Sequence, residues 1–176
     1  MTKKILAFGA SNSTKSINKQ LASYAANLFK NNTVELLDLN DYEMPIYSID
    51  RENKLGIPQL AHAFYEKIGN ADLILISFAE HNGAYSTAFK NIFDWMSRIN
   101  GKTFQEKPML LLATSPGARG GSSVLEIANK RFPFQGGVVK GSFSLPNFND
   151  NFDAERGITN EVLKNQLLEI INAIEI

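Results

Sequence analysis

The sequence predicts a doubly wound α/β sandwich: a five-stranded parallel sheet, order 2-1-3-4-5, in the middle of a three-layer sandwich. Three observations carry that expectation. Short runs such as "DLILISF", Asp72 to Phe78, are apolar at nearly every position, as strands covered on both faces must be. Between them lie stretches with apolar residues at helical spacing, so strand and helix alternate along the chain. A chain of 176 residues is most simply one domain, and right-handed crossovers leave few topologies for it, of which 2-1-3-4-5 is the commonest at this size.

Ile5 to Phe8 is a short, wholly apolar strand. Ser16 to Lys30 carries Ile17, Leu21, Tyr24, Ala25 and Leu28 at helical spacing. Thr33 to Leu39, "TVELLDL", reads as the second strand, followed by a long polar connection from Asn40 to Gly56. Pro58 suits the first turn of a helix that continues through Leu60, Phe64, Tyr65 and Ile68. Asp72 to Phe78 is the third strand. Tyr85 to Arg98 is a helix with Phe89, Ile92, Phe93 and Met96 along one stripe. Pro108 to Thr114, "PMLLLAT", is the fourth strand, Ser122 to Arg131 a helix, and Val138 to Leu145 a weakly alternating fifth strand. Thr159 to Ile174 closes the chain as a helix, with Val162, Leu163, Leu167, Ile170 and Ile171. No repeat, low-complexity tract or linker interrupts this order, so residues 1–176 are read as a single domain.

Composition narrows the function. Lys plus Arg and Asp plus Glu each number 18, and the zero net charge argues against a nucleic-acid partner held by bulk charge. The absence of Cys excludes disulfides, thiolate chemistry and Cys-ligated metals. The apolar stretch after Lys3 and Lys4 is too short for a signal peptide. No apolar run approaches the ~18 residues that cross a bilayer. A cytoplasmic protein with no membrane partner is expected.

In a doubly wound sheet, ligands sit outside the carboxyl ends of the strands. Three loops there are crowded with small polar residues: "GASNSTKS" (Gly9 to Ser16), "AEHNGAYS" (Ala79 to Ser86) and "SPGARGG" (Ser115 to Gly121). The first stands one residue from the triphosphate-binding signature G-x-x-x-x-G-K-[ST]. Gly9, Lys15 and Ser16 are in register, but Thr14 replaces the second Gly. The fourth strand ends in Ala113-Thr114, without the acid that a magnesium site needs. Ser11, Ser13, Thr14, Ser16 and Asn18 ahead of a helix N-terminus instead suit a monophosphate, and capping by Ser16 explains only one of these hydroxyls. In the second loop Gly83 would let a planar ligand approach the backbone. His81 is read as an exposed loop residue rather than a base, and His62 as structural. Tyr85 and Trp95 are read as helix packing. In the third loop Gly117, Gly120 and Gly121 let N–H groups converge, and Arg119 offers its guanidinium to an anion or ring edge, or else faces solvent.

Taken together, the three loops resemble the NADPH-dependent FMN reductase family, flavoproteins of flavodoxin-like fold that include quinone, azo-dye and chromate reductases. Its first motif, G-S-x-R-x-x-S-x-N, is matched by Ala10 to Asn18, with Ser11, Ser16 and Asn18 keeping the pattern and Ala10 and Ser13 departing from it. Its second, P-E-Y-N-G-S-Y-S, is matched by Ala79 to Ser86, with His81 in place of an aromatic residue; "KNIFDW", Lys90 to Trp95, is equally typical. Its S-x-G-x-R-G-G is matched by Ser115 to Gly121. The resemblance extends to about Leu145. It implies that Ser11, Ser13, Ser16, Ile17 and Asn18 hold the FMN phosphate. It implies that Glu80, His81, Asn82 and Gly83 line the isoalloxazine, and that Ser115, Gly117 and Arg119 approach its other edge. It further implies NADPH or NADH as donor, a small-molecule electron acceptor (quinone, azo compound, flavin or metal ion), and a homodimer or homotetramer that uses part of the Phe89–Met96 stripe unless all of it faces the core. No acid–base residue is assigned. The alternative is a non-enzymatic flavodoxin-type carrier, but such carriers are usually strongly acidic.

Overall fold

Ile5 to Ala10 are all buried, in a computed structural model that describes residues 2–175. In chain order the elements are β1 (Lys4–Ala10), α1 (Ile17–Leu28), β2 (Thr33–Leu37), α2 (Ile49–Leu55), α3 (Gln59–Gly69) and β3 (Leu73–Phe78). A hairpin of β4 (Glu80–His81) and β5 (Ala84–Tyr85) leads into α4 (Thr87–Ile99), β6 (Lys107–Thr114), α5 (Ser122–Arg131) and β7 (Gly137–Leu145). The chain continues through α6 (Phe148–Asn151), a hairpin of β8 (Phe152–Asp153) and β9 (Gly157–Ile158), and α7 (Glu161–Asn172). The main sheet runs β2-β1-β3-β6-β7, parallel throughout. This is the expected 2-1-3-4-5 order of a flavodoxin-like fold.

Alternate residues of each strand enter opposite cores, because successive side chains leave a strand on opposite faces. Leu6, Phe8 and Ala10 join Ile74 and Ile76 beneath α3, α4 and α5. Ile5 and Ala7 join Leu73 and Leu75 beneath α1 and α7. Each Leu, Ile or Phe so buried contributes about 1.5–3 kcal/mol, which explains why the inner strands show no polar face. Phe89, Ile92, Phe93 and Met96 of α4 all lie in the first core, so that stripe packs inward and is not spent on a second subunit. Trp95 packs from α4 as the sequence suggested, whereas Tyr85 packs on Phe89 from outside that helix. His62 lies exposed on α3.

The segment from Asn40 to Gly56 differs from expectation. A 3-10 turn, Leu39–Tyr42, leads into it, and it contains the helix α2. Ser48 caps α2 by accepting the Arg51 N–H at 3.2 Å, and Gly56, at φ 73°, ends it. None of its residues is buried, so it carries no apolar stripe by which a sequence pattern could reveal it. Glu52 ties it down, accepting hydrogen bonds from Tyr47 Oη (3.1 Å) and Arg98 Nε (2.9 Å). Tyr85 also differs: it closes the β4–β5 hairpin, and α4 begins after the capping residue Ser86.

Candidate functional site: a cleft at the carboxyl ends of β1, β3 and β6

Gly9 sets the first wall. A Cβ there would fall 2.4 Å from the backbone nitrogen of Lys19, so only glycine lets α1 cross β1 this closely. The chain then turns through Ser11, Ser13 and Ser16. Ser11 Oγ accepts the Ser13 N–H (3.2 Å), Ser13 Oγ the Lys15 N–H (3.3 Å), and Ser16 Oγ the Lys19 N–H (3.1 Å) as the cap of α1. Among the described residues none of these hydroxyls donates to the protein, so each keeps a proton for an acceptor outside it. The N–H groups of Ile17 and Asn18, first in α1, have no partner among the described residues, for the reason that applies to every helix start.

Asn18 anchors this helix start. Its Oδ1 accepts from Ser77 Oγ (2.7 Å) and the Thr114 N–H (3.1 Å), and its Nδ2 donates to the Thr114 carbonyl (3.1 Å). The side chain is 3% exposed and spans the tips of β3 and β6. Ser86 makes a second tie: its hydroxyl donates to the Ala10 carbonyl (2.7 Å) and accepts the Phe89 N–H (3.2 Å).

The second wall is the β4–β5 hairpin, turned by Asn82 (φ 52°) and Gly83 (φ 76°). Positive φ at both positions is what a two-residue Asn-Gly hairpin turn requires. Glu80 reaches away from the turn, and its Oε2 accepts the Val124 N–H of α5 at 3.0 Å. The third wall is the Ser115–Gly121 loop. It is held by the Asn147 N–H on the Gly117 carbonyl and the Phe148 N–H on the Ser115 carbonyl, both at 3.0 Å.

These walls enclose an open cleft of about 200 Å3. Ser11, Ser13, Ser16, Ile17 and Asn18 line one side, and Ala79, Glu80, His81, Ser115 and Pro116 the other. Lys15 lies at its rim, exposed. The donors are hydroxyls and helix N–H groups, and Glu80 is the one carboxylate in the lining. That set fits a phosphate monoester at the α1 end and a neutral planar group at the other. A larger groove, about 710 Å3, runs along the outer side of α1 and shares Lys15 and Ser16, but none of the second or third loop lines it.

A family model described as NADPH-dependent FMN reductase matches residues 3–150. The chain belongs to this family. Membership makes it an FMN-dependent NAD(P)H oxidoreductase. The chain is 32% identical to the MG342 homolog of Mycoplasma pneumoniae, covering 90% of this chain and 96% of that protein. It is 30% identical to an NADPH:quinone oxidoreductase of Arabidopsis thaliana, covering 81% and 72%. In fold it is similar to FerB, a flavoenzyme NAD(P)H:(acceptor) oxidoreductase of Paracoccus denitrificans, with a TM-score of 0.78 at 23% identity over 98% of this chain and 94% of that one. The relatives lend no support to the electron-carrier alternative.

Within this reductase, eight of the residues singled out in the sequence meet at the cleft: Ser11, Ser13, Ser16, Ile17, Asn18, Glu80, His81 and Ser115. Asn82 and Gly83 form the exposed hairpin tip, and Gly117 lies in the exposed part of the third loop. Arg119 turns along α5, its Nη2 donating to Ser123 Oγ at 2.5 Å. Sequence reasoning missed Ser77, Thr114 and Ser86 as the ties that hold the loops. Ser77 and Thr114 sit in apolar strands, where a lone hydroxyl at a strand tip was the only signal. His81 also lines a neighbouring cavity of about 280 Å3 between the first loop and α4. Tyr85 Oη is buried with no hydrogen-bond partner among the described residues, and burial pushes its phenol well above the ordinary range.

Proposed function

We propose that the cleft holds FMN with its phosphate at the start of α1, and that the enzyme passes electrons from NAD(P)H to a small quinone. The observation that carries this reading is the set of three serine hydroxyls with free protons beside the unpaired N–H groups of Ile17 and Asn18. A dianionic phosphate takes hydrogen bonds from such groups, and the partial positive charge of the helix start adds to them. When bound, FMN supplies a ring that takes up and gives back a hydride equivalent. The chain's part is to fix the phosphate, to press the hairpin and the third loop against the ring, and to leave one ring face open. Ser115 and Gly117 offer backbone near the ring edge, and Arg119 would leave Ser123 to reach it. The net reaction consumes NAD(P)H, one proton and the quinone, and yields NAD(P)+ and the hydroquinone.

Quinone as acceptor is supported by the names of the relatives, which include quinone reductases. The polypeptide acts as a single domain, consistent with one sheet shared by both cores. It works in the cytoplasm, where the nicotinamide donor is available; among the described residues no helix is long and apolar enough to cross a membrane. Copies of the chain would associate as a homodimer or homotetramer through exposed apolar side chains such as Phe134 and Val162, which are 73% and 67% exposed. The test is NADPH oxidation by the FMN-loaded protein with and without benzoquinone. Quinone-dependent turnover is expected. A protein that retains FMN but oxidises NADPH no faster with quinone would overturn the acceptor assignment.

A further inference from the structure

Gly121 (φ 75°) stands at the cap position of helix α5 and offers it no capping side chain. Its third N–H, on Val124, is satisfied by Glu80, which lies 44 residues earlier in the chain. The same hairpin meets the far end of α5 through Tyr85, whose ring stacks on Phe132 with centroids 6.2 Å apart and planes at 22°. Glu80 and Tyr85 are themselves partners in the β4–β5 pairing. The base of the hairpin is therefore fastened to both ends of α5, and the Ser115–Gly121 loop runs directly into the helix that Glu80 caps.

We propose that Glu80 is a positioning residue that fixes the spacing between the β4–β5 hairpin and the Ser115–Gly121 loop, and so the slot between them. This rests on the flavin reading above, in which that slot takes the ring. Glu80 acts through Val124: a carboxylate on a helix N–H makes a charge-assisted bond and also suits the positive helix start. Without it the Val124 N–H loses its partner, α5 frays at Gly121, and the third loop loosens. Tyr85 still anchors the hairpin, so the chain is expected to fold.

The test compares Glu80→Ala and Glu80→Gln with wild type. Amide exchange at Val124 is measured on the flavin-free proteins, and FMN and lumiflavin (the ring without ribityl phosphate) are titrated by fluorescence. Glu80→Ala is expected to speed Val124 exchange and to weaken FMN and lumiflavin alike, each by about tenfold or more, as for a lost hydrogen bond to a charged group. Glu80→Gln, whose amide oxygen still accepts but carries no charge, should fall between wild type and Glu80→Ala in all three. Unchanged Val124 exchange in Glu80→Ala would overturn the inference, as would faster exchange with undiminished lumiflavin affinity. A loss confined to FMN would also overturn it, because it would place the effect at the phosphate end. Wild type that binds neither flavin would fail the flavin reading itself, and that outcome is recognised before any variant is made.

Discussion

Replacing Ser16 with Ala removes an oxygen that is asked to do two things. In the structure Ser16 Oγ accepts the Lys19 N–H at 3.1 Å and is 6% exposed. Loss of such a cap costs on the order of 1 kcal/mol, which lowers Tm by roughly 2–4 °C for a chain of this size. In the proposed site the same hydroxyl donates its proton to a phosphate oxygen. A hydrogen bond to a charged group is worth roughly 1.5–3 kcal/mol, so FMN affinity should fall about ten- to a hundredfold, at ~1.4 kcal/mol per decade. Riboflavin has the ring and ribityl chain but no phosphate, and its affinity should scarcely change. Thermal unfolding of the flavin-free protein reads the first effect, and fluorescence titration with FMN and riboflavin the second. A fall in Tm with equal losses for both flavins would show that the hydroxyl only caps the helix, and the phosphate assignment of this loop would be wrong.

The other predictions concern the frame of the cleft. Gly9→Ala should destabilise by about 1–3 kcal/mol or more, because its methyl would meet the Lys19 backbone rather than a flexible side chain; urea unfolding unchanged from wild type would refute this. Asn18→Ala strands Ser77 Oγ and the backbone N–H and carbonyl of Thr114 in a buried site. A loss of roughly 2–4 kcal/mol is expected, and a loss below that of a surface substitution would contradict the clamp. Asp38 bonds to Lys19, whose ammonium holds its carboxyl below the usual carboxylate range. Its folded pKa is depressed, so the stability it contributes is present above about pH 4 and lost as pH falls through the folded value. Asp38→Asn should remove that acid-side slope, a matter of at most ~1 kcal/mol for so accessible a pair. Arg119→Ala should leave folding intact and weaken FMN retention; unchanged retention would assign the guanidinium to Ser123 alone.

The sheet was legible because its inner strands are buried on both faces, and burial of that kind leaves an unbroken apolar run in the sequence. The helices that cover it were legible from their stripes. Helix α2 was not, because it buries nothing; only Ser48, Asp50 with Glu52, and Gly56 mark its start, first turn and end. The β4–β5 hairpin has its signal in Asn82-Gly83, where Gly83 suggests room for a ligand but serves first of all a turn. The ties that shape the cleft were beyond reach for a different reason. Asn18 finds partners 59 and 96 residues away, and Glu80 finds Val124 44 residues away. Residue type can suggest that such a group bonds to something, but only the folded topology says to what.

An exposed helix fastened chiefly through one carboxylate has a consequence for how the molecule opens. Because none of the residues of α2 is buried, unwinding it exposes little that water would disfavour, and the free energy of that local opening is a small fraction of that for the whole domain. Its amides should exchange with solvent long before those of β1 or β3. Arg51 and Lys54, both exposed within it, become natural points of first attack for trypsin. A nick there would fall in a connection between β2 and α3, leaving every strand of the parallel sheet whole and the two halves of the chain held together by the sheet itself.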